Sequence, residues 1–170
     1  AVADFAKRHN LRVIHDAAHS LGSSYKGKNI GSFSDICMFS FDPVKTITCI
    51  DGGALVVRSE DEANTLHEMR LIGMGQPVGV MYKNQRAWTY DVKRLGFRYH
   101  MANLHAAIGL SQLSKMPDIS LSRKESCKLY NKLLAAISEV EVPYSNFENV
   151  TPFLYYIRVP AKDRQLLRDH

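Results

Sequence analysis

Apolar residues fall in short blocks whose internal spacing changes along the chain. Val2, Phe5 and Ala6 stand at helical spacing and the block closes at Asn10, which predicts the last turns of a helix. Leu11 to Ile14 is a short apolar run with two β-branched members, halted by polar Asp16, and reads as a buried strand. Further strands are predicted at Ile36–Phe41 and, after the turn Asp51-Gly52-Gly53, at Gly53–Val57. Ser59 followed by Glu62 has the form of a capping box and opens a helix from about Glu60 to Leu71. Gly73, Gly75, Pro77 and Gly79 then impose a loop. Residues 103–113 are apolar on nearly every side, so that helix is expected to be buried on more than one face, with Pro117-Asp118 ending it. Ser120 or Ser122 is expected to cap a long helix through Ile137, with Leu129, Leu133, Leu134 and Ile137 as its apolar stripe. A strand over Phe153–Val159 and a helix from near Ala161 complete the pattern. Helix, short strand, then polar residues at the strand's end is the rhythm of an α/β sheet. Both ends of the sequence fall inside predicted helices, which reads as a chain cut at each end.

Composition narrows the class. The 170 residues are 45% hydrophobic and 23% charged, the balance of a globular protein with a real core rather than a disordered tail, a collagen-like repeat or a coiled coil. No apolar run is long enough for a membrane-spanning helix, and the first residues have no secretory pattern. Three cysteines are too few, and odd in number, for a disulfide framework, so the expected compartment is the cytoplasm. The net charge of +5 is densest between Lys83 and Arg98, where Trp88, Tyr90, Phe97 and Tyr99 are interleaved. Without a nucleic-acid motif beside it, this stretch reads as a basic surface loop or a site for a phosphorylated small molecule.

Three chemical patterns begin in one place. His15-Asp16-Ala17-Ala18-His19 has the spacing of a zinc hydrolase motif, which needs a helix to bring both imidazoles to one metal. Here the motif continues an apolar run, so His15 is expected in a strand and His19 beyond it, and no metal site is expected. Gly22 to Lys28 follows a phosphate-loop pattern, yet Asn29 stands where Ser or Thr would ligate Mg²⁺, and no helix start follows. A hairpin with its tip at Tyr25–Lys28 is the preferred reading. In the third pattern Asp16 stands at the end of one strand, and Ser40 and Lys45 at and just past the end of another. Ligands of open α/β sheets bind at such strand ends. An acid, a hydroxyl and a lysine meeting there are what pyridoxal phosphate requires, for its pyridine nitrogen, phosphate and aldehyde respectively. Taken singly, Lys45 reads as a surface lysine, and a strand-end Asp is commonplace.

The segment RVIHDAAHSLGSSYKGKNIGSFSDICMFSFDPVKTITCIDGGALVV resembles the central stretch of the DegT/StrS-type sugar-nucleotide aminotransferases. LGFRYHMANLHAAIGLSQL resembles the same family further along, and Trp88-Thr-Tyr90-Asp-Val92 fits the approach to it. The resemblance implies the α/β fold type I of PLP-dependent transferases. Residues 1–118 would be the second half of the large PLP-binding domain and 119–170 the beginning of the small C-terminal domain.

It further implies Lys45 as the Schiff-base lysine and proton carrier, Asp16 at the pyridinium nitrogen, His19 near the ring hydroxyl and Ser40 at the phosphate. Arg98 would stand where the family's Asn reaches the phosphate of the neighbouring subunit's cofactor. The implied reaction moves an amino group from glutamate to a keto-sugar on a nucleoside diphosphate, in a homodimer, without nucleic acid or membrane as partner. Lys45 sets the chain apart from the dehydrating members of the family, which have His there. Two motifs depart from the usual pattern: Gly96-Phe97-Arg98-Tyr99-His100 replaces Gly-Tyr-Asn-Tyr-Arg, and Thr46 replaces Asn or Gln. The alternatives are a non-catalytic fragment and a PLP-binding regulatory protein of the same fold. A sheet lacking its first strands would expose edges and apolar faces.

Overall fold

A computed structural model describes residues 1–75 and 91–170. Helix α1 (Val2–Arg8) leads through Asn10, whose φ is 51°, towards strand β1 (Ile14–Asp16). The strand begins three residues later than the apolar run predicts, because pairing decides its start. Before it, the Val13 amide is taken by Asp35 Oδ2 at 2.7 Å, and the ladder to β4 (Ile36–Ser40) opens at Ile14.

β1 and β4 run parallel, with His15 opposite Cys37 and Asp16 opposite Met38. β5 (Gly53–Val57) returns antiparallel on the other side of β4, from Ile36 opposite Val57 to Ser40 opposite Gly53. Successive strand residues alternate faces. Cys37 and Phe39 therefore point to one side, where they form the core with Ala17, packed by Leu21, Ile30 and Phe41. Asp16, Met38 and Ser40 share the opposite, more open face. The architecture is α/β.

Between β1 and β4 lies the predicted hairpin. β2 (Ser24–Tyr25) and β3 (Lys28–Asn29) pair antiparallel, and the tip residues Lys26 and Gly27 have φ of 50° and 74°. Two central residues with positive φ make the turn whose twist suits a two-residue hairpin. The phosphate-loop reading is thereby excluded.

Helix α2 (Glu60–Met69) is capped as its sequence predicts, Ser59 Oγ accepting from the Glu62 amide at 3.1 Å. Helix α3 (Asn103–Ser114) also forms, but none of its residues is buried, and Leu104 and Leu110 are 68% and 69% exposed. The burial expected on more than one face is not found among the described residues.

The next helix departs from expectation. α4 (Met116–Leu134) starts before Ser120 and stops short of Ile137. Pro117 does not end α3. It sits in the first turn of α4, where its missing N–H costs nothing, and the break falls at Lys115. The predicted apolar stripe is largely open, Leu129 and Leu133 being exposed.

Cys127 is the one buried residue of α4, and polar side chains flank it on the inward face. Arg123 Nη1 donates to the carbonyls of Pro152 and Phe153 at 3.2 and 2.9 Å. Lys124 Nζ donates to Glu148 O at 3.0 Å, and Asn131 Oδ1 accepts from the Tyr155 hydroxyl at 2.8 Å. α4 thus clasps the segment 145–155 through hydrogen bonds.

That segment contains no strand. Of the predicted run Phe153–Val159 only Arg158 finds a ladder partner among the described residues, exchanging both backbone bonds with Glu141 at 2.9 Å. An apolar run becomes a strand only with a ladder beside it. The last helix, α5 (Arg164–Asp169), begins after a turn rather than at Ala161.

Candidate functional site

Asp16 is the last residue of β1, and its Oδ1 accepts from the Ala18 amide at 3.0 Å. This local bond turns the chain away from the sheet. The second carboxylate oxygen accepts no hydrogen bond among the described residues. Ser40 ends β4 on the same face, two residues beyond the one paired with Asp16. The carboxylate and the hydroxyl therefore stand at one edge of the sheet, at the carboxyl ends of neighbouring parallel strands.

Lys45 follows in a tight connection. Its amide donates to Asp42 O at 3.0 Å, and the Val44 amide donates to Asp42 Oδ1 at 3.1 Å. Phe41 O then accepts from the Cys49 amide at 3.0 Å and the Thr48 hydroxyl at 3.1 Å, closing the loop. Thr46 and Ile47 are buried, which anchors the backbone beside the half-buried lysine.

The side chain of Lys45 reaches back across the edge, with Nζ 2.7 Å from His19 Nε2. The roles in this contact follow the tautomer: an ammonium can only donate, and with that form of the lysine Nε2 is the acceptor and the neutral ring carries its proton on Nδ1. His19 is stacked on Phe153, ring centroids 3.8 Å apart and planes 11° apart. The same ring faces Lys45 Nζ at 5.0 Å from its centroid.

The two histidines of the zinc-like pattern have different neighbours, His15 meeting Phe33 at 5.9 Å. Among the described residues no group of three or more His, Cys, Asp or Glu is placed to hold a metal. Arg98 is exposed on the bridge to Leu71, and among the described residues no hydrogen bond or ion pair joins it to Lys45, Asp16 or Ser40. Lys83, Arg86, Trp88 and Tyr90 of the basic stretch lie outside the described residues, as do Pro77 and Gly79 of the glycine-rich loop.

The model of the DegT/DnrJ/EryC1/StrS aminotransferase family matches residues 1–170. The chain belongs to this family. It is 34% identical over 169 residues to GDP-perosamine synthase of Escherichia coli O157:H7, covering 99% of this chain and 44% of that protein. It is 35% identical over 131 residues to UDP-4-amino-4,6-dideoxy-N-acetyl-beta-L-altrosamine transaminase of Campylobacter jejuni, covering 77% of this chain and 33% of that one. The chain thus spans less than half the length of these relatives.

Among solved structures, the Helicobacter pylori aminotransferase PseC superposes with a TM-score of 0.85 at 26% identity, over 98% of this chain and 43% of PseC. The PLP form of Spr1654 from Streptococcus pneumoniae, described as a sugar aminotransferase, superposes at 0.74 and 27% identity, over 96% and 42%. The α/β architecture is thus that of the family's sugar aminotransferases.

The sequence places Asp16 and Ser40 at strand ends and Lys45 just past one, and the resemblance adds His19, but neither marks Phe153, Arg123 or Thr151. Phe153 was the first residue of a predicted strand, and nothing local marks it as a neighbour of His19. Polar positions 120, 123, 124 and 131, at helical spacing on α4, were the available signal.

Proposed function

We propose that the protein is a PLP-dependent aminotransferase that passes the amino group of glutamate to a keto-sugar linked to a nucleoside diphosphate. The observation that carries this reading is the 2.7 Å approach of Lys45 Nζ to His19 Nε2 at the sheet edge bearing Asp16 and Ser40. The donor set fits the cofactor: an amine for its aldehyde, a carboxylate oxygen without a partner for its ring nitrogen and a hydroxyl for its phosphate. When bound, pyridoxal phosphate supplies an electron-withdrawing ring that acidifies the substrate's carbon–hydrogen bond.

The chain's own groups do the rest. Asp16 keeps the proton on the ring nitrogen. Lys45 Nζ takes and returns the proton at the reacting carbon, while His19 Nε2 orients the amine. Ser40 donates to the phosphate. Arg98, which is exposed, serves the phosphate of a neighbouring subunit's cofactor, which makes the working form a homodimer. Residues 1–118 belong to the large domain and 119–170 to the small one. The three free cysteines agree with the cytoplasm as its compartment.

The test is to add pyridoxal phosphate to the intact protein and follow visible absorbance. A bound-cofactor band should appear, be absent in Lys45→Ala, and shift when glutamate is added. Folded protein without a band overturns the reading. A band unaffected by glutamate would mark a cofactor-binding regulatory protein instead.

A further inference from the structure

We propose that Phe153 is a positioning residue of this site, a fixed aromatic wall that sets the plane of His19 and covers the amine of Lys45. The proposal deepens the function proposed above and rests on it. His19 is exposed, and its one side-chain hydrogen bond among the described residues is the one to Lys45. A histidine held so lightly would turn about both side-chain torsions. The face-to-face stack at 3.8 Å and 11° removes that freedom and leaves Nε2 aimed at Nζ. The same ring lies 5.0 Å from Nζ, within reach for a cation–π contact that favours the charged amine.

The wall is itself held from behind. Arg123 Nη1 donates to the carbonyls of Pro152 and Phe153, on either side of the Phe153 α-carbon. Two residues earlier, Thr151 is wholly buried, its amide donating to Ser23 Oγ at 3.0 Å and its hydroxyl to Gly22 O at 3.1 Å. Phe153 is therefore tied to α4 and to the connection after His19, and any motion of 145–155 is transmitted to the lysine.

The experiment uses the intact protein without added cofactor. Competitive acetylation with acetic anhydride, read by mass spectrometry, reports the nucleophilicity of each lysine. Proton NMR reports the ring current on His19. In the wild type the His19 ring protons should lie upfield of their positions in the urea-unfolded protein. Phe153→Leu should abolish that displacement and raise Lys45 labelling about two- to fivefold, the worth of one exposed cation–π contact. Lys26, far out on the hairpin tip, should label unchanged, and Phe153→Tyr should restore both readouts.

Wild-type His19 protons without an upfield displacement would overturn the proposal, and that measurement needs no variant to fold. Equal Lys45 labelling in wild type, Phe153→Leu and Phe153→Tyr would overturn it as well. If the wild type takes up pyridoxal phosphate and responds to glutamate while these readouts are flat, only the role of Phe153 falls. If the wild type takes up no cofactor, the aminotransferase reading falls whatever the labelling shows.

Discussion

Replacing Thr151 with valine keeps the shape of a fully buried side chain and removes one oxygen. That oxygen serves two partners. The Thr151 hydroxyl has a single hydrogen, which goes to Gly22 O at 3.1 Å. The 2.6 Å contact with Ser120 Oγ must then be donated by Ser120. Two hydrogen bonds are lost, each worth about 1 kcal/mol net. Gly22 and Ser120 both retain some solvent access, so neither group incurs the full penalty of a buried orphan. The expected loss is about 2 kcal/mol, or a fall in Tm of about 4–8 °C.

Urea unfolding followed by circular dichroism measures this loss. A cycle with Ser120→Ala separates the network from simple truncation. The double variant should be less destabilised than the sum of the single ones, by about 1 kcal/mol. A loss below about 0.5 kcal/mol for Thr151→Val, or strict additivity with Ser120→Ala, would refute the bonding pattern described above.

Glycine substitutions should separate backbone strain from crowding. Gly27 has φ of 74° with nothing near its missing side chain, so Gly27→Ala should cost only about 1–2 kcal/mol for the left-handed conformation. Gly22 has φ of 78°, and a Cβ there would come within 2.5 Å of Met116 Cε and 3.0 Å of Thr151 Oγ1. Met116 Cε is the end of a flexible side chain and can move aside, but Thr151 is wholly buried, so Gly22→Ala should be the more destabilising of the two in parallel urea melts, and equal losses would refute the close approach of Thr151 to Gly22. Burial pushes the thiols of Cys37, Cys49 and Cys127 above their ordinary value of 9.0. The unfolded chain then gives up these protons first, so stability is full below about pH 9 and falls as pH rises beyond it. Urea midpoints from pH 7 to 10 check the sign, and a rise above pH 9 would contradict it.

Much of the fold was legible because its causes are local. The Ser59 cap of α2 and the tip at Lys26-Gly27 each follow from torsional preferences and bonds within a few residues. The placement of Asp16 and Ser40 at strand ends also follows from where apolar runs stop. Elements that need a distant partner were read less well. The apolar run at 153–159 has the composition of a strand, but among the described residues only Arg158 has a neighbour to pair with. α4 was given an apolar inner stripe, yet its inner face bonds to carbonyls of a loop, which no periodicity of hydrophobic residues reveals. Pro117 reads in sequence as a helix end because proline breaks helices from within, and in the structure it opens one.

From its residues alone, then, the chain determined an α/β order of elements, the hairpin that excludes a phosphate loop, and a carboxylate, hydroxyl and lysine at strand ends. These depend on backbone geometry over a few positions, which side-chain type controls directly. Only the tertiary structure decided that Lys45 turns towards His19 and that Phe153 backs them both. It alone joined Thr151 to Ser23, 128 residues apart. Such contacts form when packed elements bring remote segments to one place, and the information that selects them is spread over the whole chain.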